Sequence, residues 1–295
     1  MLLSTIILPV YPWREARVIW QRAERLGFQA AYTYDHLSWR TFRDRTWFGT
    51  IPTLAAAATA TEVIRLGTMV TNPNFRHPVT LAKDLITLDD LSDGRITLGI
   101  GSGGTGFDAS VLGDGPWPPR ERADRFAEFL ALLNTLLQQD ATTSHGNYYT
   151  TIEARNIPGC VQAPRIPFYV AATGRRGLGL AARYGQGWVT DLDTTATGDV
   201  TIEEGLRVLR SRLDKLSTAC DAVGRDVTEL DKVLVHGSSP KLSSVAAFVD
   251  WAGQHSAMGF TEIVLHWPVP DSVFAGDMTL FEKIATDGRT QVGLL

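Results

Sequence analysis

Cysteine is nearly absent: the 295 residues hold two, Cys160 and Cys220. They form no C-x-x-C pair and no metal-ligand spacing, so the expectation is two reduced thiols, a cytoplasmic chain and no metal site. Long hydrophobic runs are missing too. No stretch of about 18 uninterrupted apolar residues occurs, which argues against a transmembrane helix. The apolar start, Met1 to Val10, carries no Lys or Arg ahead of its run and no small-residue cleavage site, and Pro9 and Pro12 end it early. It reads as a buried first strand rather than a signal peptide. An excess of positive charge is also lacking. Lys and Arg number 28 against 32 Asp and Glu, a net charge of -4. That argues against a general nucleic-acid binder and leaves room for a locally held anion. His77, His145, His236, His255 and His266 show no metal-like clustering.

What is present is alternation. Short apolar runs at Leu3–Leu8, Ala30–Tyr34, Ile64–Val70, Ile96–Ile100, Phe168–Ala172, Trp188–Thr190, Lys232–Val235 and Glu262–His266 read as strands. Amphipathic segments lie between them, such as the one carrying Phe126, Phe129, Leu130, Leu133 and Leu137 at helical spacing. Gln139 to Pro167 breaks the pattern with Gly, Pro and alternating residues, and reads as an insertion with a hairpin. Strand–helix alternation implies parallel pairing. About eight units with no linker and no composition break favour a closed (β/α)8 barrel over an open Rossmann-type sheet. The expectation is therefore an α/β fold, one TIM-barrel domain over residues 1–295, with an insertion at about 139–167 after the fourth unit.

In such a barrel the chemistry lies in the loops that follow the strands. Asp35-His36 pairs a carboxylate with an imidazole just after the second strand. The pair either holds a ring hydroxyl and moves a proton, or is a helix cap beside a half-buried histidine. Gly99-Ile100-Gly101-Ser102-Gly103-Gly104 matches G-x-G-x-x-G, but Pro116, Pro118 and Pro119 block the direct entry into a helix that a dinucleotide fingerprint needs. Those glycines suit close approach of the backbone to a flat ring. Thr173-Gly174-Arg175-Arg176 stands between a strand and a helix, where backbone N–H groups and guanidiniums suit a phosphate, or where two arginines are simply solvated. Tyr11, Trp13, Trp47, Phe48, Trp117 and His266 are candidates for an aromatic-lined substrate pocket.

Together, three pieces resemble the luciferase-like monooxygenase superfamily along the whole chain. They are Tyr34-Asp35-His36, the run from Leu66 to Pro73 followed by Arg76-His77-Pro78, and the run from Leu91 to Gly101. Val170 to Gly174 and Ala182 to Trp188 add to them. That superfamily includes FMN-dependent monooxygenases and enzymes dependent on coenzyme F420, a deazaflavin. The resemblance implies that Asp35 contacts the deazaflavin hydroxyl and that His36 and Trp39 act at the reacting ring face. It implies a cis peptide at Met69-Val70 behind the ring. Ser102 and Gly103 would line the ring and Thr173, Gly174 and Arg175 the phosphate, with Thr71, Gly104, Ala172 and Arg176 completing the cofactor set. The sugar-phosphate dehydrogenases of the family carry an acid where Gly104 falls here, which points away from their reaction. The expectation is an F420H2-dependent reductase of an imine or conjugated alkene in a small aromatic or heterocyclic molecule, in natural-product biosynthesis, acting as a homodimer. An FMN-dependent monooxygenase is the alternative, and a non-catalytic flavin-binding barrel a third reading.

Overall fold

A computed structural model describes residues 1–192, 202–237 and 242–291. In chain order its main elements are β1 (Leu2–Ile6), α1 (Trp13–Arg25), β2 (Ala30–Thr33), α2 (Thr50–Ala60), β3 (Arg65–Thr71), α3 (Pro78–Leu91), β4 (Ile96–Gly101) and α4 (Pro119–Leu136). Then come β5 (Ala141–His145), β6 (Thr150–Arg155), β7 (Phe168–Ala171), α5 (Arg175–Tyr184), β8 (Gly187–Asp191), α6 (Ile202–Asp221), β9 (Asp231–Val235), α7 (Val245–Ala257), β10 (Glu262–His266) and α8 (Met278–Lys283). Eight strands pair in parallel and close a barrel in the order β1-β10-β9-β8-β7-β4-β3-β2. The closed (β/α)8 barrel expected from the alternation is the fold observed. The irregular stretch after α4 contains an antiparallel hairpin, β5 with β6. Glu128 on α4 fastens the hairpin turn by accepting the backbone N–H groups of Asn147, Tyr148 and Tyr149.

Local rules set the helix ends. Ala16, Trp20 and Ala23 form the buried stripe of α1, and Gly27 at φ 80° turns the chain into β2. Pro78 opens α3 in the first turn, where its missing N–H costs nothing, and the His77 ring accepts from the Val79 N–H. Ser244 and Asp277 cap α7 and α8. Large side chains including Trp20, Phe126, Phe129, Phe168, Trp188 and Phe248 fill the layer between strands and helices. Each such fully buried aromatic contributes several kcal/mol by its removal from water.

Inside the barrel, polar groups form the floor. Tyr32 donates to Glu262 (3.1 Å) and Tyr169 to Asp231 (2.8 Å), both acids standing at the N-terminal ends of their strands. Arg65 donates to Thr97 (2.9 Å). Burial pushes Glu262 up to about 7, against hydrogen bonds from Ser4 and Tyr32 that pull the other way. At the opposite end β3 departs from regular register against β4 between Thr68 and Thr71. There the Met69-Val70 peptide is cis, at the position the resemblance implied. Gly99 faces this irregularity; a Cβ on it would lie 2.1 Å from the Thr68 carbonyl oxygen, so no larger residue fits.

Among the described residues no helix is long and apolar enough to cross a membrane. Neither Cys160 nor Cys220 is in a disulfide.

Candidate active site

The C-terminal mouth of the barrel holds a cavity of about 580 Å³. Its volume falls in the range of small-molecule and cofactor sites. One end is apolar: Tyr34, Met69, Val70 and Ala171 wall it, with Ser102 beside them. The other end is the start of α5, where Thr173, Gly174, Arg175 and Arg176 line the wall. The first N–H groups of a helix have no partner within it, and the helix dipole is positive there. Arg176 is ion-paired with Asp124. Arg175 is exposed and pairs with no carboxylate among the described residues, so its charge is available to an anion.

Eight of the twelve cofactor positions named from the sequence therefore line one cavity: Met69, Val70, Ser102, Ala172, Thr173, Gly174, Arg175 and Arg176. Four stand behind it. Asp35 is 1% exposed, and its carboxylate is taken up by Arg76 Nη2 (2.6 Å), Arg76 Nε (3.1 Å) and Thr71 Oγ1 (2.9 Å). Asp35 thus sits in an internal clamp, as a buried carboxylate takes the guanidinium that neutralises it. Thr71 is buried in the same clamp. Gly103, at φ 73°, and Gly104, whose carbonyl accepts from Asn74 Nδ2 (3.3 Å), tie the loop after β4 to the loop after β3.

The residues expected to act on the ring form a cluster beside the cavity. His36 pairs through Nδ1 with the Asp108 carboxylate, which also accepts the Leu37 backbone N–H (2.8 Å). Asp108 is 4% exposed, and the sequence reading missed it. Its only signal was an acid closing the glycine-rich loop, 72 residues from its partner. Trp39 stacks on Phe274 (centroids 5.5 Å) and meets Tyr34 edge-on (5.3 Å). Tyr34, also missed as a site residue, lines the cavity, and its hydroxyl lies 2.8 Å from His266 Nε2. His266 Nδ1 sits 2.9 Å from the His236 carbonyl oxygen, which fixes the proton on Nδ1 and leaves Nε2 to accept from Tyr34. Burial lowers this imidazole to about 3, so it is neutral at ordinary pH.

Of the six candidate substrate contacts, none lines this cavity. Trp47 donates Nε1–H to the His36 carbonyl (2.7 Å), which holds the histidine loop in place. Tyr11 reaches the Pro268 carbonyl. Trp13 and Phe48 are about two fifths exposed. Trp117 lies under the Arg125 guanidinium (4.0 Å) on α4. His266 lines a second cavity of about 280 Å³ together with Phe274. Among the described residues no three His, Cys, Asp or Glu side chains come together as metal ligands.

A parallel barrel whose C-terminal mouth joins an apolar pocket to a helix N-terminus is the framework of a cofactor-binding barrel. The family model for luciferase-like monooxygenases matches residues 4–213, and the chain belongs to that family. The F420-dependent glucose-6-phosphate dehydrogenase of Beutenbergia cavernae is 39% identical over 170 residues, 57% of this chain and 49% of the relative. The F420-dependent hydroxymycolic acid dehydrogenase of Mycobacterium tuberculosis is 32% identical over 72% of this chain and 55% of the relative. The chain thus aligns with about half the length of these relatives. An F420-dependent secondary alcohol dehydrogenase, solved with an F420-acetone adduct, superposes with a TM-score of 0.79 at 18% identity, covering 99% of this chain and 98% of the other. The F420-dependent tetrahydromethanopterin reductase of Methanopyrus kandleri superposes with a TM-score of 0.73 at 18% identity, covering 96% and 97%.

Proposed function

We propose that the chain is an oxidoreductase that uses coenzyme F420 at the barrel mouth and reduces an imine or conjugated alkene of a small aromatic or heterocyclic molecule. The observation that carries this reading is the two-ended cavity, apolar at Tyr34, Met69 and Val70 and anion-ready at α5. A flat heterocycle with a phosphate on its side chain suits both ends. The names of the sequence relatives support the choice of deazaflavin over FMN.

In this reading Met69, Val70 and Ala171 hold the flat ring by apolar contact and keep water off it. The α5 N–H groups and Arg175 hold the phosphate. Bound F420 supplies a carbon-centred hydride carrier that reacts slowly with oxygen. His36 moves the proton. Asp108 fixes its tautomer, with the proton on Nδ1, and stabilises the imidazolium. Reduction is the favoured direction because Gly104 stands where the sugar-phosphate dehydrogenases of the family carry an acid.

Absorbance titration of the purified protein with F420 and with FMN tests the cofactor. Saturable F420 binding is expected, followed by substrate-dependent oxidation of F420H2. Tight FMN binding with no F420 binding sinks the reading in favour of the monooxygenase.

A further inference from the structure

The mouth has a second cavity that this scheme leaves without a task. It measures about 280 Å³ and lies between the ends of β9 and β10, the 268–277 loop and α8. A hydrogen-bonded pair of side chains links it to the larger cavity: Tyr34 lines the first and its partner His266 the second. The His266 ring stacks on Phe274 with centroids 4.0 Å apart and planes 14° apart, and Phe274 in turn stacks on Trp39. The second cavity therefore shares its inner wall with the groups that face the reaction.

Its chemistry is narrow. Leu242, Leu265, Val273, Leu280, Phe281 and Ile284 are the large aliphatic and aromatic groups of the remaining wall, and His236 adds a second imidazole. Among the described residues no Lys or Arg lines it. The single carboxylate there, Asp277, accepts from the Thr279 and Leu280 N–H groups as the cap of α8. His266 is neutral and both its nitrogens are taken. Apolar side chains therefore dominate the described wall, which favours an uncharged, apolar occupant. An engineered apolar cavity of roughly 150 Å³ holds one benzene, so this one has room for about two fused rings.

We propose that this second cavity binds the uncharged aromatic body of the substrate, about two fused rings in size. The proposal rests on the oxidoreductase reading for the word substrate; the binding preference stands independently of it. The probe is prodan, an uncharged naphthalene fluorophore whose emission shifts to the blue in apolar surroundings, added to the full chain. Gly276 lines the cavity without a left-handed φ, and a Cβ there meets Pro268 at an ordinary 3.8 Å. Gly276→Phe should therefore fill the space and weaken prodan binding at least tenfold. Val273 lies at the rim, 44% exposed, so Val273→Asp tests the same preference in a variant that tolerates the change. It too should weaken binding at least tenfold. 2-Naphthol should displace the probe.

Absence of saturable binding overturns the proposal, as does binding left unchanged by both variants. F420 titration is run on the same samples. Cavity-dependent prodan binding without F420 binding refutes the cofactor reading and leaves the cavity assignment standing.

Discussion

Glu262 is the group whose replacement has the most calculable consequence. It is fully enclosed at the barrel floor, 3% exposed, and accepts from Tyr32. Burial raises it from the ordinary 4.5 to about 7. A raised folded-state value means that the folded protein keeps a proton which the unfolded chain gives up. The associated stability is complete below pH 4.5 and is lost as pH rises through 7. At about 1.4 kcal/mol per unit, a shift of roughly 2.5 units amounts to about 3 kcal/mol. Glu262→Gln keeps the shape, bonds to Tyr32 as an acceptor and does not titrate. His266, lowered to about 3 by burial, has the opposite slope at acid pH, losing stability as pH falls below 6.5. The wild-type curve alone therefore mixes the two groups, whereas the variant-minus-wild-type difference isolates Glu262. Urea denaturation of both proteins at half-unit steps from pH 4.5 to 8.5 measures that difference. It should move in favour of Glu262→Gln by about 3 kcal/mol across the range, with most of the change below pH 7. A difference that stays flat to within 0.5 kcal/mol, on the order of ordinary additivity error, would refute the argument that burial controls this carboxyl.

Other replacements probe the mouth. Arg76→Ala leaves the Asp35 carboxylate buried and unpaired, and should cost about 3–5 kcal/mol in urea unfolding; Asp35→Asn combined with it should recover part of the loss. Arg175→Ala should raise the F420 dissociation constant roughly tenfold or more, since charge-assisted hydrogen bonds contribute about 1.5–3 kcal/mol. That penalty should shrink at high salt. Asp108→Asn should lower turnover on the order of 100-fold while leaving cofactor affinity within twofold, as expected of a residue that orients a proton-moving histidine. An equal loss in cofactor affinity would instead mark Asp108 as a loop anchor.

The fold was readable because its signals are local. Ile96–Gly101 and Glu262–His266 are short apolar runs bounded by turn residues, and each needs only its own composition to be read as a strand. Gln139–Pro167 lost the helical period, and a hairpin stands there. Strand ends differ by a residue or two, as with Leu3–Leu8 against Leu2–Ile6. The side chains at Ile7 and Leu8 stay buried after the last strand hydrogen bond, so composition alone runs past it.

The site divides along a physical line. The place of Thr173 to Arg176 in the cavity wall was legible because a strand-to-helix turn is set by its own local sequence. The partner of Asp35 was not, because the fate of a carboxylate is decided by whichever cation the fold brings to it, here Arg76 from 41 residues away. The same holds in reverse for His36, which looked coupled to the neighbouring Asp35 in sequence and is coupled in space to Asp108. Adjacent residues at a strand end point to different sides of the chain. An Asp-His dipeptide there is therefore poor evidence for an Asp–His pair, and better evidence for two separate partnerships. The loop after β4 completes one of them, so Gly104 and Asp108 have to be weighed together. The loop lacks an acid at the first position and uses the acid at the second to hold the histidine. Beside that histidine stands the neutral Tyr34–His266 pair, so two imidazoles of the mouth take their partners from residues distant in sequence.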